Sequence, residues 1–323
     1  MAAGGTKRAI CIGGATLDRT YRAHSVLRPG TSNPASASWS FGGVARNVAE
    51  NLAKLGASVA LLTLVGDDEG GRAIIDHLGR IGVETCHINV TPQHRTAEYV
   101  AISEPGGELA LGIADMEILD QITVDHLGPV WPAITAARWV FADCNLPASV
   151  LAYLISERQR HDFKLAVDAV SVSKVLRLPP DLSGIDVLFL NGDEARSLVG
   201  DALLTGRDRA AAVTARGVGT VVETQGVDGV AVATSDLVLT LPAVPAEAVD
   251  VTGAGDALTA ATLDALMRDV SVHDAARIGT LAAALTVESP DAVRSDLSQA
   301  LLRSAMDRLD VTGILTRHNG HEP

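Results

Sequence analysis

Aromatic side chains are nearly missing from this sequence: Phe, Trp and Tyr make up 3% of it, although hydrophobic residues make up 47%. The interior must therefore be filled by Ala, Val, Leu and Ile, which suits helices packed on a buried parallel sheet. Cysteine is scarce too. Cys11, Cys86 and Cys144 show neither an even count nor C-x-x-C spacing, which argues against a disulfide framework or a zinc site and makes a reducing, cytoplasmic setting the default. Positive charge is also short, with 26 Lys and Arg against 39 Asp and Glu and a formal net charge of -13. Nucleic acid and anionic membrane both need clustered cations, so neither is expected as a partner. A small phosphorylated ligand stays compatible, because a few local amides can bind it within an acidic protein. The nine histidines include no H-E-x-x-H or other close metal pair. No tandem repeat stands out, "MAAGGTKRAICIGGATLD" turns polar too soon for a signal peptide or membrane span, and "HNGHEP" reads as a frayed end.

What is present is alternation. The apolar runs "RAICIGG", "SVALLTLVG", "RWVFADCN", "KLAVDAV", "DVLFLN" and "TVVETQG" are separated by helix-length segments, as in βαβ units. In "GVARNVAENLAKLG", Val44, Val48, Leu52 and Leu55 recur at helical spacing and Gly56 supplies the stop. The spacing predicts an α/β fold with a doubly wound, mostly parallel sheet flanked by helices. Two segments break the pattern. Between Thr96 and Ala114 two short β-like runs flank "EPGGE", a hairpin signal, and Leu17 to Phe41 lacks helical periodicity. These segments, about 17–41 and 96–114, are expected to form a small β-sheet lid within one domain spanning 1–323.

The chemistry concentrates in "DVTGAGD", Asp250 to Asp256, ahead of a helix that can bury Leu258, Ala261, Leu263 and Leu266. Glycines at a helix start leave amides able to converge on an anion. The plain alternative is that Asp256 only caps the helix. A dinucleotide fingerprint fits less well, because "GAGDAL" lacks the third glycine and falls late in the chain, and no Gly-Lys dipeptide supports a Walker loop.

"DVTGAGD" resembles the carboxy-terminal signature of the ribokinase-like (PfkB) family of sugar and nucleoside kinases, and "FGGVARNVAENLAKLG", Phe41 to Gly56, resembles its amino-terminal glycine signature. "NGDE", from Asn191 to Glu194, matches the family's N-x-x-E motif, and "TQGVDG", from Thr224 to Gly229, looks like its nucleotide-binding turn. Among the subfamilies, "GGVARNVAENLAKLG", "IADMEI", "FADCN" and "VDAVSVSK" look most like pseudouridine kinases, which phosphorylate the ribose 5-hydroxyl of a C-nucleoside. Ala169 departs from the proline often found there. Kinases of other nucleosides or of ribose, and a catalytically silent binding protein on the same fold, are the alternatives.

The resemblance implies ATP and Mg2+ as cofactors, a nucleoside or sugar acceptor, and a homodimer formed through the lid. It implies that Asp256 engages the acceptor hydroxyl while the amides of Gly253, Ala254 and Gly255 hold charge on the γ-phosphate. A helix amino end favours the ionised carboxylate, so Asp256 is expected to be a weak base that orients as much as it deprotonates. Asp18, Gly42, Gly43 and Asn47 would bind the sugar. Asn191, Thr224, Gly226 and Gly229 would border the nucleotide, and Asn191 and Glu194 would act on magnesium through its waters. Asp250 and Thr252 resemble a monovalent-cation site found in part of the family, which leaves potassium an open question. Asp115, Asn145 and Asp168 could read the base or serve as polar caps.

Overall fold

All six apolar runs form strands in the computed structural model, which describes residues 8–200 and 203–310; "HNGHEP" lies outside them. In the first half, β1 (Arg8–Ile12), β2 (Thr16–Ala23) and β3 (Ala35–Gly42) precede α1 (Val44–Lys54), β4 (Ser58–Gly66), α2 (Glu69–Arg80) and β5 (Ile88–Thr91). Then come β6 (Glu98–Ser103), β7 (Leu109–Asp115), α3 (Trp131–Ala136), β8 (Trp139–Asp143), α4 (Ala148–Arg158) and β9 (Lys164–Asp168). The second half runs through β10 (Val187–Asn191), α5 (Gly192–Val199), α6 (Gly206–Thr214), β11 (Thr220–Thr224), β12 (Val230–Thr234) and β13 (Val238–Leu241). It closes on α7 (Ala254–Met267), α8 (Val272–Val287), α9 (Gln299–Ser304) and the short α10 (Asp307–Asp310).

The large sheet has the order β13-β12-β11-β10-β9-β8-β1-β4-β5. It is parallel from β5 to β11, and β12 and β13 add an antiparallel edge. Because strand side chains alternate, one strand feeds two cores. Ile10 and Ile12 join a cluster with Leu151 of α4, Ala195 of α5 and Val213 of α6, whereas Ala9 and Cys11 join Val48 of α1, Ile74 of α2 and Leu263 of α7. Helices thus cover both faces, as the doubly wound expectation requires. The chain adds β4 and β5 on one side of β1 and then returns to build outward from β8. Strand order reverses between β1 and β8, which opens a crevice beyond their carboxyl ends, where open α/β sheets bind ligands.

A separate sheet, β3-β2-β6-β7, rises beside this crevice. Its hairpin turn is "EPGGE": the Glu104 and Glu108 backbones bond at 2.9 Å, and Gly107 takes φ 99°. The β2 to β6 pairing is parallel, while the outer pairings are antiparallel. Register divides the sheet into two faces. Asp18, Ser40, Tyr99 and Ala114 share one, and Trp39, Arg19, Val100 and Ile113 share the other, followed by Tyr21, Ile102 and Leu111. That second face is apolar and open, with Trp39 57% exposed and Leu111 and Ile113 each 52%.

Candidate active site

The floor of the crevice is laid by a residue passed over in the sequence. Asp143 ends β8, is fully buried, and accepts the amides of Gly14 at 3.0 Å, Ala45 at 2.8 Å and Asn145 at 3.0 Å. It clamps the loop after β1, the start of α1 and the end of β8 together. Burial raises the Asp143 carboxyl's pKa and the three amides lower it. The only hint in the sequence was a carboxylate closing a buried strand in "FADCN".

Glycine is needed at Gly43, the residue before α1, because it takes φ 92° and a Cβ there would run into the Gly14 backbone. A Cβ at Gly42 would strike the Asp18 carboxylate, so this glycine makes room for a protein side chain. Asp18 is part-buried, accepts the Thr16 hydroxyl at 2.8 Å, and has its pKa raised by burial against the opposing effects of Thr16 and Arg46.

The two signatures meet at the next contact: Asn47 Nδ2 donates to Asp256 Oδ2 at 2.6 Å. Asp256 is the third residue of α7 and does not cap it; the capping position is Gly253, at φ 77°, where a Cβ would run into the Ala292 carbonyl. Burial pushes the Asp256 carboxyl up to about 7, with Asn47 and Arg46 lowering it and Asp143 and Asp18 raising it. This reverses the expectation of a weakened base at a helix start, because desolvation outweighs the helix dipole. Gly255 differs from Gly253: its Cβ direction points into open space. The space beside Gly255 is therefore open, while the Ala254 amide donates to the Val251 carbonyl at 3.3 Å.

The second cluster lies beyond β10 and β11. Asn191 and Glu194 form a reciprocal capping box: Asn191 Oδ1 accepts the amides of Asp193 at 2.9 Å and Glu194 at 3.0 Å, and Glu194 Oε2 accepts the Asn191 amide at 2.7 Å. A cleft of about 430 Å³ is lined by Asn191, Thr224 and Gly226 together with Arg196, Arg209 and Gln225. Gly229 does not line it. At φ 94°, with the Leu241 carbonyl where a Cβ would go, Gly229 forms the β11 to β12 turn. A hollow of about 580 Å³ between α6 and the β12 to β13 turn holds none of the signature residues.

Asp168 bridges the two clusters electrostatically. Its pKa is raised well above the ordinary carboxylate value by burial and by the charges of Asp256, Glu194 and Asp143. Such crowding of desolvated oxygen donors fits a hard divalent cation, with Glu194 raised by burial as well. Asn145 is buried next to Gly14 and accepts from Lys174, a residue absent from the sequence-based expectations, whose pKa burial lowers. Asp115 is the misplaced candidate: its register sets it in line with Leu17 and Glu98, on the opposite face of the small sheet from Asp18, and Tyr99 occupies the face expected of it. Asp250 accepts the Thr252 amide at 2.8 Å, and its own amide bonds the Val287 carbonyl at the end of α8 at 3.2 Å. Glu84, Cys86 and His87, at the opposite end of the sheet, bring potential ligand atoms within 4.8 Å of one another, a grouping the cysteine spacing did not suggest; Glu84 pairs with Arg8 at 2.7 Å.

Known proteins share this architecture. The profile of pfkB family carbohydrate kinases matches residues 6–299. Pseudouridine kinase of Escherichia coli is 32% identical over 257 residues, covering 78% of this chain and 81% of that protein. A carbohydrate kinase from Agrobacterium tumefaciens superposes with a TM-score of 0.84 at 33% identity, over 94% of this chain and 97% of its own. Arabidopsis thaliana ribokinase, solved with ribose and ATP, superposes with a TM-score of 0.81 at 22% identity, over 94% and 99%.

Proposed function

The chain belongs to the pfkB family of carbohydrate kinases, and within that family we propose that it transfers the γ-phosphate of ATP to the ribose 5-hydroxyl of pseudouridine. The observation that carries the reading is the 2.6 Å bond from Asn47 to Asp256, which joins two kinase signatures 209 residues apart in the crevice at the strand-order reversal. The likeness to the Escherichia coli pseudouridine kinase supports the choice of acceptor.

In this reading Asp256 accepts the proton of the attacking hydroxyl. A base with a pKa of about 7 is matched to neutral operation. The amides of Gly253, Ala254 and Gly255 stabilise charge on the transferring group. Asp18 accepts the vicinal ribose hydroxyls, Asn47 orients the acceptor, and Asn145 with Lys174 reads the base. Thr224, Gly226 and Asn191 border the nucleotide. Magnesium, when bound, screens the phosphate oxygens. Asp168 and the Glu194 oxygen outside the capping box would hold it or its waters. Asp250 and Thr252 would serve a monovalent cation, tested by exchanging potassium for sodium.

The whole chain then works as one cytoplasmic kinase domain, where ATP is supplied, with the small sheet as its lid. The open apolar face at Trp39, Leu111 and Ile113 pairs two copies. A concentration-independent monomer in sedimentation would remove the dimer. The function itself is tested by ATP-dependent phosphorylation of pseudouridine, uridine, adenosine, cytidine and ribose. Wide preference for pseudouridine supports the proposal, preference for another acceptor overturns its substrate, and turnover of none favours a silent binding protein.

A further inference from the structure

Arg46 is only 2% exposed, a costly place for a guanidinium unless its donors are answered. Four acceptors answer it. Nε donates to the Gly42 carbonyl at 3.1 Å, Nη2 to the Phe41 carbonyl at 2.7 Å and to Asn47 Oδ1, and Nη1 to Glu50 at 2.5 Å. Glu50 is held in turn by His77 at 2.8 Å and lies 3.7 Å from Lys54. Phe41 and Gly42 end β3, so the guanidinium fastens the root of the small sheet to α1. Arginine has donors only, so Asn47 must turn its oxygen toward it. The amide NH2 is then left facing Asp256.

We propose that Arg46 is a positioning residue for phosphoryl transfer, locking the Asn47 amide in the single orientation that donates to Asp256 and tying that pair to the root of the small sheet. The catalytic part of this inference rests on the kinase reading; the amide lock does not. Lysine at this position keeps the charge but lacks the planar fork that spans four acceptors.

The experiment compares wild type, Arg46→Lys, Asn47→Ala and the double variant, using the acceptor that the substrate panel selects. Arg46→Lys is expected to lower kcat on the order of 100-fold while leaving the KM for ATP essentially unchanged. The double variant is expected to be no worse than Asn47→Ala, because Arg46 acts through Asn47. Nuclear magnetic resonance of the Asn47 side-chain amide, assigned by its loss in Asn47→Ala, supplies a readout free of turnover. Its protons should exchange slowly with water in the wild type and rapidly in Arg46→Lys, with the rest of the spectrum preserved. Losses that add in the double variant, or an amide equally protected in Arg46→Lys, overturn the proposal. Were the wild type to phosphorylate no acceptor, the kinase reading would fall while the amide measurement still decided the lock.

Discussion

Two helices of this protein start alike and use their start differently. Both α5 and α7 follow the crevice side of the large sheet, and each carries an acid as its third residue, Glu194 in one and Asp256 in the other. Glu194 folds back onto its own helix in a capping box with Asn191. Asp256 leaves its helix uncapped and reaches Asn47. Glycine replaces the capping side chain at Gly253, and the acid is thereby released for use outside the helix. The difference teaches that an acid near a helix start is identified by the partner it reaches, not by its position.

The sharpest way to break this contrast is Asp256→Asn. If the carboxylate is the base, kcat should fall about 10²- to 10⁴-fold, with acceptor KM little affected. The same change should stabilise the unliganded protein at alkaline pH. Between the ordinary carboxylate pKa and about 7, the folded wild type holds a proton that the unfolded chain has lost, so its stability declines as pH rises through that window and levels off above it. Asparagine has no such proton to lose. Thermal unfolding at pH 5 and pH 8 should therefore show a gap between variant and wild type that is wider at the higher pH. Equal activity, or a gap that does not widen between pH 5 and pH 8, would return Asp256 to an ordinary structural role.

A slightly smaller loss is expected at Gly255. Its Cβ direction is open, with no atom within 4 Å of a Cβ there, so Gly255→Val should fold while its side chain fills the space beside the start of α7. Loss of about 10²- to 10³-fold in kcat, comparable to removing one oxyanion-hole donor, with the melting temperature nearly unchanged would separate ligand space from packing. Gly253 gives the opposite control: any side chain there meets the Ala292 backbone, so its replacement should lower stability first. The pH profile is gentler still. With Asp256 at about 7, kcat/KM should fall tenfold per unit below that pH and flatten above it. A flat profile down to pH 5 would mean that the carboxylate orients without accepting the proton.

Much of this was legible in the sequence because it rests on local patterns. The strands, the hairpin at "EPGGE" and the helix from Val44 are set by neighbours a few residues away, and two signatures marked Asn47 and Asp256. Asp143 was not legible, because its partners at Gly14 and Ala45 lie 129 and 98 residues away and meet it only through parallel crossovers. Arg46 sat in plain view inside a signature, but its work depends on a buried geometry that no spacing encodes. Asp115 went wrong for a simpler reason: side chains alternate along a strand, so one position of register decides which face a residue joins. Desolvation explains the remaining reversal at Asp256, since a helix dipole is visible in sequence and burial is not.

The smallest effect belongs to the helix that explains itself. Asn191→Ala removes the oxygen that accepts two amides of α5, so it should cost about 1 kcal/mol of stability, measured as a shift of the urea midpoint. Glu194→Gln divides the two roles of its residue, because glutamine can still close a capping box while carrying no charge. It should leave the midpoint almost unmoved and raise the magnesium concentration needed for half-maximal rate. If Glu194→Gln instead costs stability and leaves the magnesium dependence intact, Glu194 is a cap and nothing more. The acid at the start of α7 would then be the only one of the pair turned outward to chemistry.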